Sequence, residues 1–170
     1  MVKGATPFEE GKNQAVRFLL VRPRSVHELR TKLLGKGFRR DTVDEVTAWL
    51  EERGYLNDRS FAAGLARTLA LHRLWGDFRI RMSLRERGIS PDVADEALLE
   101  ARRELGEGEA VRKYIQKKYG KTIESDINSK EFTPGEKRRL FRSLSSRGFP
   151  GGLILEIIRM PKEDVIHDGE

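Results

Sequence analysis

Three ten-residue stretches of the chain align without a gap: LRTKLLGKGF (29–38), IRMSLRERGI (80–89) and LFRSLSSRGF (140–149). Each opens with an aliphatic residue and repeats one four positions later: Leu29 and Leu33, Ile80 and Leu84, Leu140 and Leu144. Residues four apart share one face of a helix, so each pair buries one side. A cation follows, Lys36, Arg87 or Arg147, where a positive charge suits the negative helix end. Gly37, Gly88 and Gly148 then supply the left-handed residue that stops a helix, and Phe38, Ile89 and Phe149 pack back on the turn just ended. One helix–turn device used three times, roughly 50 to 60 residues apart, is the mark of a repeat architecture.

The rest of the chain fits that reading. Apolar residues recur at helical spacing, and no segment alternates as a strand does. The spacing predicts nine helices. The first runs from Phe8 to Val21, and Ser25-Val26-His27-Glu28 is a capping box opening the second. Asp41 caps the third, with Val43, Val46 and Leu50 inward. Asn57 or Asp58 opens a long fourth helix bearing Phe61, Leu65 and Leu69, which Gly76 ends. Ile80 and Leu84 mark the fifth, Ser90-Pro91 the start of the sixth. Glu107 to Tyr119 forms the seventh, Thr133-Pro134-Gly135-Glu136 boxes the eighth, and Gly152 to Met160 the ninth. The fold class expected is all-α, an elongated tandem array of three three-helix repeats over 8–54, 57–104 and 107–160, with an acidic tail at 161–170. A unit this small buries too little alone, so its junctions must be apolar. That explains GYLNDRSFA (54–62), where Tyr55 and Leu56 interrupt a turn that would otherwise be polar. Both are expected to be packed, as is Phe61.

With 38% hydrophobic and 35% charged residues, the composition suits a thin array that exposes much surface. There is no cysteine, hence no disulfide framework or thiolate metal site. No signal-peptide run opens the chain and no stretch approaches a membrane span. A cytoplasmic monomer without membrane contact is expected.

Chemistry is sparse. His27, His72 and His167 do not pair at ligand spacing, and there is no HExxH, GxxxxGK[ST] or GxGxxG. The acidic pairs Asp44-Glu45 and Asp95-Glu96 sit near helix starts, where carboxylates suit the dipole. No catalytic residue, metal ligand or cofactor is expected. Cations are more informative, because the net charge is +6. Arg79, Arg81 and Arg85 lie on the fifth helix. Lys113, Lys117 and Lys118 form a stripe on the seventh that Lys121 continues. Lys137, Arg138, Arg139 and Arg142 crowd the start of the eighth, where they oppose the dipole. These eleven residues are the candidates for anion or partner contact; the plain alternative is a solvated face. Lys36, Arg87 and Arg147 are assigned to helix ends. Trp49, Phe61, Phe78 and Tyr114 are assigned to the core, and Trp75 beside Arg79 is a candidate for base stacking.

The order Gly54-Tyr55-Leu56-Asn57-Asp58, Phe61-Ala62, Gly76, Ile80, Leu84, Arg87-Gly88-Ile89, preceded by PRSVHELRTKLLGKGF, resembles the RecX family of bacterial recombination regulators over about residues 12 to 160. Three positions depart from the family pattern: Asn57 for Asp, Asp77 for Pro, and Ser83 for Glu or Gln, the last expected to alter a surface contact. The resemblance implies a non-enzymatic helical-repeat protein. It implies binding to the RecA recombinase, above all to its filament on single-stranded DNA, with restraint of its ATPase, strand exchange and coprotease. The setting it implies is DNA repair, homologous recombination and the SOS response, with weak direct DNA contact as an addition. Two other classes fit the residues alone: an autonomous helix-turn-helix DNA binder, and a helical scaffold for an acidic protein.

Overall fold

Ser25 and Thr133 do what their spacing predicts. The Ser25 hydroxyl accepts from the Glu28 amide and the Thr133 hydroxyl from the Glu136 amide, and each glutamate reaches back to the cap amide. The Asn57 side chain accepts from the Ser60 amide at 2.9 Å, so Asn serves here where Asp is usual. The computed structural model describes residues 6–120 and 132–159. It contains α1 (Pro7–Val21), α2 (Val26–Leu34), α3 (Arg40–Glu52), α4 (Asp58–Arg67), a π-helical turn (Thr68–His72), α5 (Asp77–Arg85), α6 (Pro91–Glu104), α7 (Glu107–Tyr119), α8 (Pro134–Ser145) and α9 (Gly151–Ile158). The fold is all-α, with no strand among the described residues, and no helix there is long and apolar enough to cross a membrane.

The aligned stretches build one turn three times. Gly37, Gly88 and Gly148 have φ of 89, 75 and 86°. The amides of Phe38, Ile89 and Phe149 donate back to the carbonyls of Leu33, Leu84 and Leu144 at 3.3, 3.2 and 3.3 Å. The glycine amides close the tighter inner bond at 2.9 Å in all three. Such paired bonds satisfy carbonyls that a helix end leaves free.

Three expectations about helix ends change. Asp41 does not cap α3. Arg39 holds the cap position without a side-chain bond, and Asp41 lies exposed in the first turn. The long fourth helix is α4 followed by the π turn, and Leu74 at φ 52° turns the chain before Gly76. Gly76 therefore does not end that helix. It opens α5, its carbonyl accepting from the Ile80 amide at 3.2 Å.

The chain forms two compact units: unit one is Met1–Leu65 with Ser83–Ala97, and unit two is Ala66–Met82 with Leu98–Glu170. Unit one has a core of Ala15, Leu29, Leu33, Val43, Val46, Leu50 and Leu56. In unit two, Leu105, Val111, Ile115, Leu140, Leu144, Phe149 and Ile154 are buried together.

Each unit contains the same docking arrangement, and it is tertiary. In unit one, the first amide of α2, Val26, donates to the Asp58 carboxylate at the start of α4 (2.8 Å), and the Ser25 hydroxyl donates to the Arg87 carbonyl (2.6 Å). In unit two, the first amide of α5, Asp77, donates to the Glu107 carboxylate at the start of α7 (2.8 Å), and the Gly76 amide donates to the Arg147 carbonyl (2.8 Å). In both, the first amide of an aligned helix is satisfied by the acid opening a later helix, and the residue just before it donates to the carbonyl before a later turn glycine, through the Ser25 hydroxyl in unit one and the Gly76 amide in unit two. A helix N-terminus favours such a carboxylate through both hydrogen bonding and the dipole.

These contacts give two carboxyls opposite pH behaviour. Burial pushes the Glu28 carboxyl up. The Arg22 hydrogen bond and charge, the Ser25 amide and Arg87 outweigh it, and hold it below the usual carboxylate range. Burial pushes Glu107 up, and its bond from the Asp77 amide does not offset this. Glu28 therefore contributes stability that is present above the ordinary glutamate pKa and lost as pH falls through the depressed folded value. The Glu107 contribution is complete below the ordinary pKa and lost as pH rises through the raised value. In urea unfolding at a series of pH values, Glu28→Gln should flatten the acid loss of stability. Glu107→Gln should remove a loss lying at higher pH. Identical profiles for both variants would contradict this pairing of charges.

Tyr55 corrects the junction argument. Leu56 is 2% exposed, but Tyr55 is 66% exposed and stacks on Trp49 with ring centroids 6.2 Å apart. Adjacent residues leaving a turn point to different sides, and only the leucine goes inward. Tyr55→Ala should thus cost only the stacking, about 0.5–1.5 kcal/mol, well short of the roughly 3–5 kcal/mol of a buried aromatic truncation. A thermal melt that fell by the larger amount would place the ring in a core. Phe61 and Trp49 are half-buried and Tyr114 is buried, whereas Phe78, expected inside, is 69% exposed.

Candidate partner-binding surface

Unit two brings together cations that the sequence placed on separate helices. Tyr114 lies on the inward stripe of α7, so its hydroxyl needs a partner, and it meets the Ser143 hydroxyl of α8 at 2.6 Å. Lys118, one turn on, reaches the same Ser143 oxygen at 3.4 Å and lies over the Tyr114 and Tyr119 rings. The Arg147 guanidinium sits 4.4 Å from the Tyr114 ring centroid and donates to the Arg73 carbonyl at 2.8 Å. Burial would push the Tyr114 hydroxyl up. The hydrogen bonds of Ser143, Arg147 and Lys118 outweigh it and hold it below the usual phenol range.

Arg79 belongs to the same unit. Its guanidinium donates to the Ser146 carbonyl at 2.8 Å and stacks on Trp75 at 4.1 Å. Trp75 is half-buried and Arg79 exposed, so the pair presents a planar cation on an aromatic face. Arg81 is exposed, and its charge acts on the Glu107 carboxyl.

The remaining candidates divide. Lys113 is exposed and paired with Glu109 at 3.2 Å, an i,i+4 pair on α7. Lys137 is half-buried and donates to the Arg159 carbonyl at 2.9 Å, which makes it a clasp between α8 and the end of α9. Lys117, Arg138 and Arg139 are exposed and without an ion pair among the described residues, and Arg142 is exposed. Arg85 is exposed in unit one. Lys121 lies outside the described residues.

Two residues read otherwise in the sequence have structural work. Arg147 does more than complement a helix end, since its guanidinium links the third turn to Arg73 and Tyr114. Ser83 is buried, and its hydroxyl accepts from Arg87 at 2.8 Å, with the Ser83 carbonyl at 2.6 Å. It is therefore not a surface contact. Arg87 is held on its own helix end, 3.7 Å from Glu28. Ser143 was missed; the only signal for it was that a buried tyrosine hydroxyl must find a partner.

Family models match in two places: the first three-helix domain of RecX over residues 12–50 and the second over residues 57–98. A regulatory protein RecX from Prosthecochloris aestuarii is 35% identical over 88 residues, covering 52% of this chain and 58% of that protein. One from Salmonella paratyphi A is 31% identical over 147 residues, covering 81% of this chain and 82% of that protein. The crystal structure of RecX from Lactobacillus salivarius superposes with a TM-score of 0.70 at 22% identity, covering 90% of this chain and 95% of that one. With three-helix domains matched in order and a relative aligned over most of both lengths, the chain belongs to the RecX family of regulatory proteins.

Proposed function

We propose that this protein binds the RecA recombinase, chiefly its filament on single-stranded DNA, and restrains ATP hydrolysis, strand exchange and coprotease activity. Membership of the RecX family supports the partner. The observation that carries the reading to residues is that Lys117, Arg138 and Arg139 of α7 and α8 are exposed and that the Arg79–Trp75 stack belongs to the same unit two. Exposed cations attract an anionic surface, and a guanidinium-backed indole suits a base released from its stack. Direct, weak contact with DNA is therefore part of the proposal. The protein acts by occupancy and not by catalysis, as a cytoplasmic monomer. Its partition into repeats at 8–54, 57–104 and 107–160, with a tail at 161–170, belongs to the same proposal.

The test is RecA ATPase on single-stranded DNA with and without the protein. Turnover should fall with added protein, and the inhibition should weaken as salt rises, because exposed charges are screened. Unchanged turnover at a several-fold excess over RecA, at low salt, would sink the reading.

A further inference from the structure

Four polar groups of unit two meet at one point, and together they offer more protons than acceptors. The Tyr114 and Ser143 hydroxyls are 2.6 Å apart. Only one of their protons can lie between them, so the other has no acceptor among the described residues. Cations approach both oxygens: Lys118 donates to Ser143 at 3.4 Å, and Arg147 hydrogen-bonds to Tyr114. Both cations keep further N–H groups to offer, one of those on Arg147 going to the Arg73 carbonyl. Tyr114 is only 8% exposed, Ser143 is half-buried and Lys118 is exposed, so the cluster opens to solvent on its Lys118 side.

No carboxylate answers these cations. The stretches AVRKYIQKKYG (110–120) and KRRLFRSLSSRGF (137–149), which supply the cluster, contain no acid. The acids elsewhere on α7 and α8 are engaged: Glu107 accepts from the Asp77 amide, Glu109 pairs with Lys113, and Glu136 closes the Thr133 box. Glu156, the one acid of α9, is exposed, and among the described residues neither Lys118 nor Arg147 has an ion pair. Lys118 lies in the last turn of α7 and Arg147 just past α8. Those helix ends oppose an anion with about half a charge each, which two full cations outweigh. Complementing the helix ends would require neither hydroxyl.

We propose that Lys118, Arg147 and the Tyr114–Ser143 hydroxyl pair form a seat for one phosphate group. Phosphate oxygens supply the acceptors that the cluster lacks, and their charge meets both cations through charge-assisted hydrogen bonds. The spare hydroxyl proton is directional, so it favours an oxyanion over chloride. Such a group is carried by a nucleic-acid strand or exists as free phosphate, and both present the same anionic oxygens. The seat uses none of Lys117, Arg138 and Arg139, and it requires no RecA.

The test is amide NMR of the full chain titrated with sodium phosphate, chloride being withdrawn to hold ionic strength constant. Saturable shifts are expected at Tyr114, Lys118, Ser143 and Arg147. Lys118→Gln, at an exposed site, should weaken binding about three- to fivefold. Adding Ser143→Ala should bring the loss to at least about tenfold. Lys113→Gln removes the same charge from the same helix, at a lysine already paired with Glu109, and should leave the affinity within about twofold. Should the double variant unfold by circular dichroism, the two single lysine variants decide. A short oligothymidylate that saturates the same shifts at a lower concentration than inorganic phosphate identifies a strand phosphate as the occupant, and the reverse order identifies free phosphate. The seat is ruled out if the shifts do not saturate, if they spread evenly over the exposed cations, or if Lys113→Gln weakens binding as much as Lys118→Gln. RecA is absent throughout, so failure here leaves the RecA reading to its own ATPase test.

Discussion

Replacing Gly148 with alanine is expected to cost about 3–6 kcal/mol, against about 1–2 kcal/mol for Gly37→Ala, although the two glycines hold aligned positions in the same turn. Both have positive φ, 86 and 89°, and an L side chain there costs about 1–2 kcal/mol. What separates them is space. A methyl on Gly37 would meet nothing within 4 Å. One on Gly148 would lie 2.6 Å from the Arg79 Cβ and closer still to the Arg79 amide. Relief requires the turn to leave α5, which adds overpacking of about 1–3 kcal/mol. It also endangers the Gly76 amide bond to Arg147 and the Arg79 bond to Ser146, at about 0.5–1.5 kcal/mol each. Gly76→Ala attacks the same contact from the other side, since its methyl would overlap the Gly148 carbonyl. Urea unfolding monitored at Trp75 in a Trp49→Phe background for Gly148→Ala, and at Trp49 in a Trp75→Phe background for Gly37→Ala, reads the unit to which each glycine belongs. Equal losses for Gly37→Ala and Gly148→Ala would mean that the turn is not docked on α5.

That comparison marks where the sequence is readable. The threefold turn was legible because everything it needs lies within ten residues: two aliphatics four apart, a cation, a glycine, an apolar residue. The capping boxes at Ser25 and Thr133 are equally local. The docking of those turns was not legible. Asp58 and Glu107 look like any acids in a first turn, and nothing in spacing says that their carboxylates accept from Val26 and Asp77, some thirty residues earlier in each case. Gly76 read as a terminator because glycine commonly ends helices, yet its role is to let two backbones meet. Tyr55 misled for another reason: an apolar pair in a turn does not say which member faces inward. The basic surface shows the same division. Its composition was visible, but the tie of Lys137 to the Arg159 carbonyl and of Arg147 to Arg73 depends on tertiary neighbours. Those ties separate cations that hold the fold from cations left for a partner.

Reversing Lys117, Arg138 and Arg139 to glutamate should abolish most of the inhibition of RecA ATPase while leaving the protein folded. All three are exposed, so each should move stability by no more than about 0.5 kcal/mol. Each reversal exchanges an attraction of about 0.2–1 kcal/mol for a comparable repulsion. Three together weaken binding at least about tenfold. The control reverses Lys36, Arg39 and Arg40, also exposed, in unit one. It changes net charge by the same amount, so long-range steering is matched and only placement differs. Arg147 and Arg87 are unsuitable controls, because their side chains hold the Arg73 and Ser83 carbonyls and their loss would act through the fold. The α7–α8 variant should need far more protein for half-inhibition than the control at equal folded concentration, and the gap should narrow as salt rises. Trp75→Leu, which leaves the Arg79 bond to the Ser146 carbonyl in place, should weaken retention on single-stranded DNA alone more than it weakens RecA inhibition, since it removes the aromatic face on which a base would stack. If the α7–α8 variant and its control inhibit equally, the partner lies elsewhere on the molecule. The exposed cations of α7 and α8 are then a solvated face.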